Sequence, residues 1–562
     1  MSAARRIVAG LVAAYLLLVL ADRFVLVELF LYRCGWPLLA AFIVGLAAIG
    51  AGSFAKRDVA TRLLVGYPIF GAICFLFALM KASVWTMAPL VVLFAALGAW
   101  QTVRRTGSPA GPGPAGPPAL PLLLLFLSIL VLAQAPPSSL DELAYHLAIP
   151  HTWLLEGRAI DLPLISHSYF PLGIESADLP LLAALGPLDG GIASHFLHLL
   201  AALAAAVVIH RKARSRLVTA AILTTPALLL TAGWSLVDFP LLGICAVLFD
   251  EDDERTIAAA VGAGLLTKYT FIPFALIVLL LTRRYRGTMV GGAIGSVFFI
   301  RNLILTWDPI APFFQPGTPR FIGYRGAPFL SDYVFDPRFL DEALGASLLT
   351  TAALATTLAA GALALFGVVL FLLAPSSRLL IPFFGVASLT ARPDRRWLRA
   401  LIAIAVAVQL VLVVVSVERT GAFGLISGRL SDEEYLRRAR RSYDGISWLN
   451  QALPARSRTL VIGLNETYWF ERAVRGGGNF DGERVSHYLE AATPDALRLR
   501  LARDGITHVA VFNLPLETAV ARKIEERQTT LSPAARRSVA ELLDRYAASV
   551  TSRGDVTLFA LR

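Results

Sequence analysis

The sequence is poor in charged residues and in cysteine. Only 16% of its 562 residues are Asp, Glu, Lys or Arg, whereas soluble domains carry about a quarter. The three cysteines, Cys34, Cys74 and Cys245, lie in or beside apolar stretches at no regular spacing, which argues against a disulfide framework and against a zinc site. No Walker loop, HExxH, paired CxxC or GxSxG motif occurs, so ATP-driven transport, zinc proteolysis and serine hydrolysis lack support.

Apolar runs are what the sequence has in abundance. Hydrophobic residues make up 56% of the chain, and its mean hydropathy is +0.65. Stretches long enough to span a bilayer recur, and they predict a polytopic α-helical membrane protein with about 11–13 transmembrane helices. The net charge of +11 comes from short basic clusters between these runs. That pattern follows the positive-inside rule and does not argue for nucleic acid.

The order of apolar and polar segments predicts a transmembrane part followed by a soluble domain. We expect N-terminal transmembrane helices at 1–104, a Gly/Pro-rich linker at 105–118, a transmembrane core at 119–420 with outer loops at 135–190 and 305–345, and a soluble α/β domain at 430–562. The soluble assignment rests on strand-like segments at 459–463, 508–513 and 556–561 that alternate with helical ones. Basic clusters place the first outer loop and this domain on the same, outer side, which is the periplasm if the chain lies in a bacterial inner membrane.

The first outer loop carries an unusual concentration of polar and aromatic residues. Asp141, Glu142, Tyr145 and His146 fall in a segment that reads as a short helix ended by Pro150, and Tyr169 and Glu175 follow in the same loop. Ser139 and Glu142 have the spacing of a capping box, which would explain Glu142 without any catalytic role. The aromatic residues are typical of an interfacial belt, but they could also stack on a sugar ring. We interpret the loop as a site of chemistry at the membrane surface.

Lys268 is the clearest single candidate for an intramembrane functional residue. It is the one charge in the apolar stretch 257–281. We expect this stretch to be two short helices that break at 267–270, which keeps the following basic cluster on the inner side. A charge at membrane depth favours a functional role, and the alternative is snorkelling toward an interface. Arg301 and Arg378 are weaker candidates, because either could be an ordinary interfacial anchor.

The motifs together resemble the GT-C superfamily of membrane glycosyltransferases. The closest resemblance is to bacterial dolichyl-phosphate-mannose-like and phospholipid-carrier-dependent transferases. It is carried by short motifs spread over roughly 119–420, namely Asp141–Leu147, Gly157, Tyr169–Glu175, Leu265–Tyr269, Arg301–Asn302 and Arg378–Pro382. The resemblance implies a GT-C-like fold, a polyprenyl-phosphate-linked sugar as donor, and a glycan, lipid or protein hydroxyl as acceptor. It also implies an acidic catalytic base in the first outer loop, which corresponds to Asp141 with Glu142 beside it.

The chemistry of such a transfer assigns roles to the candidates. Asp141 would accept the proton of the acceptor hydroxyl, and Lys268 and Arg301 would stabilise the leaving phosphate. The predicted binding residues are Tyr145, His146, Tyr169, Glu175, Lys268, Arg301 and Arg378. The sequence identifies no cofactor with certainty. A divalent metal at Asp141 and Glu142 stays open, but the sequence offers no third ligand.

Two features depart from the family pattern, and two other functions stay open. Fewer clean spans fit in 346–390 than the family shows, and the helices before residue 105 lie outside its common core. The alternative from another class is a multi-pass transporter or lipid flippase, which also needs intramembrane charges and broken helices. A third alternative is a non-catalytic assembly protein that docks through its C-terminal domain. Activity with a lipid-linked sugar separates the first hypothesis from these two.

Overall fold

The computed structural model of the protein describes residues 24–55, 58–104, 120–213, 215–315, 343–373, 377–477, 481–513 and 531–562. The beginning of the predicted N-terminal helical region, residues 1–23, and the predicted linker at 105–118 lie outside the described residues, as does most of the second outer loop.

Among the described residues up to 426, the regular elements are all helices. The helices before and within the first outer loop are α1 Phe24–Ala51, α2 Val59–Met80, α3 Val84–Arg104, α4 Leu120–Ala133, the π-helix Glu142–His146, α5 Ala148–Leu155, the 3-10 helix Ser166–Tyr169 and α6 Gly173–Ser176. Those that follow are α7 Leu179–Lys212, α8 Arg216–Leu223, α9 Pro226–Ala232, α10 Asp238–Leu248, α11 Glu254–Thr267, α12 Phe271–Thr282, α13 Tyr285–Gly295 and α14 Val297–Thr306. The last group is α15 Gly345–Ala352, α16 Leu358–Leu373, the 3-10 helix Ser377–Leu380, α17 Ile381–Ser388, α18 Arg396–Arg419 and α19 Ala422–Ile426.

The prediction of a multi-pass helical membrane protein is confirmed. Among the described residues, α1, α2, α3, α7 and α18 are each long and apolar enough to cross a bilayer, and the pair α13–α14, bent by 50°, would make a sixth span. Shorter apolar helices of 10–17 residues account for other predicted spans. Some apolar runs in the described part of the chain are therefore broken into shorter helices, because hydropathy alone does not show where a long apolar run is interrupted.

The predicted break beside Lys268 is present. Helix α11 ends at Thr267, Lys268 itself is extended (φ −161°, ψ 142°), and α12 begins at Phe271. Pro273 supplies a physical reason. Its ring would clash with the carbonyl of Tyr269 in a continuous helix, but it fits within the first turn of a new one. The break leaves Lys268 outside regular structure between two short helices.

The start of the outer loop differs from the prediction. The segment after Asp141 forms a π-helix that is followed at once by α5, so the expected short helix ended by Pro150 is wrong. Pro150 lies in the first turn of α5, where its missing N–H group would have no partner within the helix anyway. The Glu142 carboxylate accepts the amide N–H of Ser139 at 3.0 Å, which is the backbone half of the predicted capping box.

The C-terminal domain is built around one mixed sheet of five strands. Its helices are α20 Asp432–Ala439, α21 Ser442–Ala452, α22 Gly482–Leu489, α23 Pro494–Arg503 and α24 Pro533–Tyr546, and its strands are β1 Arg458–Ile462, β2 Ala473–Arg475, β3 His508–Phe512, β4 Ala547–Arg553 and β5 Val556–Leu561. The order is β2-β1-β3-β5-β4, with β1 parallel to β2 and β3, and with β5 antiparallel to β3 and β4. The small α/β domain is thus confirmed, although β2, β4 and α22 were not predicted.

The C-terminal domain packs directly on the first outer loop. The backbone amide of Ser166 donates to both carboxylate oxygens of Asp481, at 3.0 and 3.1 Å. The loop and the domain therefore lie on the same side of the helices, and the side of the membrane that they occupy stays a prediction from the basic clusters.

Candidate active site between the outer loop and the membrane helices

Four charged side chains form a continuous chain across the junction of the loop and the helices. Arg378 donates from Nη1 to Asp141 Oδ2 at 2.5 Å. The same guanidinium donates from Nε and Nη2 to Asp238 Oδ2, at 2.9 and 2.8 Å. Lys268 Nζ donates to the other oxygen of Asp238, also at 2.9 Å. The structure thus brings together Asp141, Lys268 and Arg378, which lie up to 237 residues apart in the sequence.

Asp238 is a member of this cluster that the sequence analysis did not single out. It opens α10, its side chain is only 1% exposed, and it contacts both cations. The sequence does indicate this residue, because a carboxylate within the apolar stretch 236–249 favours a functional role in the same way as a lysine within such a stretch. The two cations are therefore balanced by Asp238 and Asp141, and the cluster of four carries no net charge.

Asp141 is the carboxylate of this cluster with most access to solvent. Its side chain is 22% exposed, against 1% for that of Asp238. Burial alone would raise the pKa of Asp141, but the Arg378 guanidinium, with smaller contributions from His146 and His167, holds it below its ordinary value. Asp141 is therefore ionised at neutral pH and is able to accept a proton.

A second buried pair joins His146 to Glu175. His146 Nδ1 lies 2.7 Å from Glu175 Oε1, and the two side chains are 3% and 4% exposed. Burial raises the pKa of Glu175 to about 8 and lowers the pKa of His146 well below its ordinary value. His146 Nε2 and Glu175 Oε2 have no hydrogen-bond partner among the described residues. At neutral pH Glu175 therefore keeps its proton and His146 is uncharged. His146 Nε2 and Glu175 Oε2 can form hydrogen bonds with another group.

Glu142 lies behind the site rather than in it. Its side chain is fully buried, and Oε1 accepts from His195 Nε2 at 2.7 Å and from the Ser235 amide at 2.6 Å. Oε2 accepts from the amides of Ser138 and Ser139, at 3.3 and 3.0 Å. With four donors, Glu142 joins the loop to α7 and to the segment before α10. His195, the partner of Glu142, was not predicted from the sequence, because a single histidine on an apolar helix does not by itself indicate a functional role.

An aromatic wall extends from the charged cluster. Tyr145 packs against His146 and stacks on His167, with ring centroids 4.0 and 4.2 Å apart. His167 contacts Phe170 at 4.8 Å, and Phe170 contacts Tyr269 at 5.4 Å. These side chains form a stacked surface of the kind that binds a sugar ring or an isoprenoid chain.

Arg301 and Tyr169 belong to a neighbouring cluster. Arg301 donates from Nε to Asn302 Oδ1 at 3.0 Å, and its guanidinium lies 5.1 Å from the ring centre of Phe298. Asn302 Nδ2 donates to the backbone carbonyl of Tyr169 at 2.7 Å. This cluster adjoins the charged site through Phe170, whose carbonyl accepts from Arg301 Nη2 at 3.4 Å. Arg301 and Tyr169 therefore flank the site, whereas Asp141, Tyr145, His146, Glu175, Lys268 and Arg378 form it.

The acidic residues of the loop are bound by protein donors in the described part of the chain. Within the described ranges, no three His, Cys, Asp or Glu side chains come together in a way that could hold a metal ion. Asp141 is engaged by Arg378, and Glu142 is saturated by four donors. The site instead presents the Asp141 carboxylate and the cations Arg378 and Lys268 to a ligand.

Comparisons with known proteins find a likeness at the level of structure. No family model matches the chain, and no curated protein matches it. Two crystal structures of ArnT from Cupriavidus metallidurans, one bound to undecaprenyl phosphate and one in the apo state, are similar to it with a TM-score of 0.45 each, at 12% and 14% identity. Each alignment covers 78% of this chain and 96% of the other. At this level of similarity, the function has to rest on the geometry of the site.

Proposed function

We propose that this protein is a membrane glycosyltransferase that transfers a sugar from a polyprenyl-phosphate donor to an acceptor hydroxyl. The reaction takes place on the outer face of the membrane, which is the periplasmic face if the chain lies in a bacterial inner membrane. The acceptor is a hydroxyl of a cell-envelope glycan, lipid or protein.

The observation that carries the proposal is the geometry of the Asp141–Arg378–Asp238–Lys268 chain. A carboxylate that can take a proton lies within 2.5 Å of a guanidinium that can bind a phosphate. Both lie at the junction between the outer loop and short apolar helices, where the head group of a lipid donor would be. The aromatic wall beside them suits the sugar or the first isoprenoid units.

The proton and the leaving group have separate destinations in this site. The acceptor oxygen attacks the anomeric carbon and its proton passes to the Asp141 carboxylate. The bond between the anomeric carbon and the phosphate oxygen breaks, and its electron pair leaves with the polyprenyl phosphate. Arg378 and Lys268 stabilise the charge that develops there, because fixed cations in a poorly hydrated site need no reorganisation.

Donor binding also tunes the base. Arg378 has one guanidinium to share between Asp238, Asp141 and an incoming phosphate. A phosphate that competes for Nη1 weakens the contact with Asp141, so that the pKa of Asp141 rises toward its ordinary value. The carboxylate becomes a better proton acceptor when the donor is in place. Asp238 holds both cations in position throughout.

Reconstituted turnover tests the proposal. The full-length protein in lipid nanodiscs is given a polyprenyl-phosphate sugar labelled in the sugar, and the free polyprenyl phosphate is measured together with labelled acceptor. Asp141→Asn should lower transfer by about a hundredfold or more. Lys268→Met should raise the KM for the donor, and Lys268→Arg should restore it only in part, since a guanidinium does not replace a compact ammonium.

Matched variants serve as controls. Asp189→Asn alters an exposed carboxylate of the same outer region, and Lys81→Met alters an exposed lysine, so both should retain normal turnover. A transporter or flippase would move the labelled lipid across the membrane without breaking its sugar–phosphate bond. Intact donor in the presence of varied acceptors, or normal transfer by Asp141→Asn, would contradict the proposal.

A further inference from the structure

The π-helix that follows Asp141 has a backbone carbonyl that its own helix does not use in the ordinary way. In an α-helix the carbonyl of Leu143 would accept from the amide of Leu147, but that amide donates to Glu142 at 3.0 Å instead. The carbonyl of Leu143 accepts two N–H groups from the C-terminal domain, those of Thr467 at 2.8 Å and Tyr468 at 3.1 Å. The C-terminal domain thus supplies the hydrogen-bond donors for the Leu143 carbonyl, which lacks its usual α-helical partner because of the π-helical geometry.

The segment that supplies these donors is itself held by the loop and by α7. His151 Nδ1 lies 2.7 Å from the carbonyl of Tyr468, and the Tyr468 hydroxyl donates to the carbonyl of Pro187 at 2.5 Å. Burial lowers the pKa of His151 to about 4, so its ring is neutral and Nδ1–H is the donor. A Cβ on Gly191 would lie 2.8 Å from the Tyr468 hydroxyl. The contact therefore depends on a glycine at this place.

Two further contacts fix the domain on the same loop. Glu156, whose side chain is 8% exposed, pairs with Arg458 at 2.5 Å and with Arg475 at 2.9 Å. The fully buried Asp481 accepts the Ser166 amide, as described above. Three separate points of attachment along the loop leave the domain little freedom to turn relative to it.

The position of this attachment relates it to the catalytic geometry. Asp141 directly precedes the π-helix and His146 ends it, whereas Arg378 lies in the 3-10 helix Ser377–Leu380 and Lys268 lies between α11 and α12. A shift of the π-helix would move the base and leave the cations in place. Misplacement of a catalytic group by about 1 Å can cost about a hundredfold in rate.

We infer that the C-terminal domain is a structural part of the active site, in which the segment around Tyr468 holds the π-helix and positions Asp141 against Arg378. His151 and Tyr468 are positioning residues in this arrangement. The inference rests on the proposed transferase function for its kinetic test, but its structural part can be measured without any turnover.

Variants at His151 test the inference with matched chemistry. His151→Leu removes the hydrogen bond to the Tyr468 carbonyl, and His151→Asn keeps an N–H donor in the same region. Tyr468→Phe removes only the hydroxyl, and Tyr488→Phe is its control, because the Tyr488 hydroxyl bonds to Asp504 within the C-terminal domain. Each full-length variant in nanodiscs is assayed for kcat, for the donor KM, and for hydrogen–deuterium exchange in the peptide that contains residues 141–150.

We expect His151→Leu to lower kcat at least about tenfold while the donor KM stays within about twofold, because the base moves and the cations do not. The kcat of His151→Asn should be close to that of wild type, and the kcat of Tyr468→Phe should lie between those of His151→Leu and wild type. Tyr488→Phe should behave as wild type. Exchange in 141–150 should rise in the same order. A loss of fold shared equally by His151→Leu and His151→Asn would contradict positioning, and so would unchanged exchange and kcat in His151→Leu.

The two proposals fail in different ways. If the wild-type protein transfers no sugar, the proposed function is wrong, but the exchange of 141–150 in the His151 variants still decides whether the C-terminal domain holds the π-helix. If transfer occurs but the His151 and Tyr468 variants change neither kcat nor the exchange of 141–150, the proposed function is retained and the positioning role is wrong.

Discussion

Removing the charge of Asp238 should destabilise the protein, because this one carboxylate balances two cations. Asp238→Asn keeps the shape of the side chain and leaves Lys268 and Arg378 beside each other without their shared anion. Three hydrogen bonds to a 1% exposed carboxylate are weakened at once. Arg378 retains Asp141 as a partner, but Lys268 has no other acidic contact at this distance among the described residues.

The magnitude follows from the distances. Opposite charges about 3 Å apart attract by about 6 kcal/mol at an effective dielectric constant of about 20. Desolvation of the buried ions offsets much of this attraction, so the intact cluster adds little net stability. Breaking it by removing one partner costs about 3–5 kcal/mol, because the remaining charge stays buried. Lys268→Met should cost clearly less, since Asp238 keeps two hydrogen bonds from Arg378.

The assay is a double-mutant cycle on the free energy of unfolding of the protein in detergent micelles. The double variant Asp238→Asn with Lys268→Met again has balanced charges, so it should be more stable than Asp238→Asn alone. The coupling between the two sites should reach about 1–3 kcal/mol. Additive effects, or wild-type stability of Asp238→Asn, would refute the idea that Asp238 is the shared counterion.

The other predictions concern individual carboxylates and the arginine. Arg378→Gln should move the acid limb of the pH–rate profile to higher pH, because Asp141 must be ionised and loses the cation that keeps its pKa low; an unmoved limb would show that Asp141 is not the titrating base. Glu175 keeps its proton up to a pKa of about 8, well above its ordinary value of 4.5, so the folded protein holds a proton that the unfolded chain has released, and stability should fall as pH rises between these values. Glu175→Gln should flatten that dependence, as measured by unfolding midpoints at several pH values, and an unchanged slope would assign it to another group. Glu142→Gln should lower the free energy of unfolding by about 2 kcal/mol, because one of its two acceptor oxygens becomes an N–H donor that faces other donors; the exposed Glu433→Gln is the control, and equal stability of the two variants would contradict the supporting role of Glu142.

Several features of this protein could be predicted from local sequence. Long apolar runs require helices in a membrane, because no other single-chain segment satisfies its own backbone there. The break at Lys268 was predicted because one continuous span over 257–281 would have placed the following basic cluster on the outer side. Alternating strand and helix patterns after residue 430 were likewise enough for the α/β domain, although the short β2 and the exposed β4 carry too little pattern to be found.

The candidate site could be predicted only in part, because a sequence indicates single residues but does not show which of them are in contact. Asp141, Lys268 and Arg378 stand out by charge in apolar surroundings, and they do meet. The sequence could not show that Asp238 joins the two cations, or that Glu142 faces away from its neighbour Asp141 toward His195. Tertiary packing decides the second point, because the donors that hold Glu142 include His195 on α7 and the Ser235 amide, which lie far from it in the sequence. The contact between Leu143 and Tyr468 spans more than 300 residues, and only the packing of the C-terminal domain on the outer loop brings these two segments together.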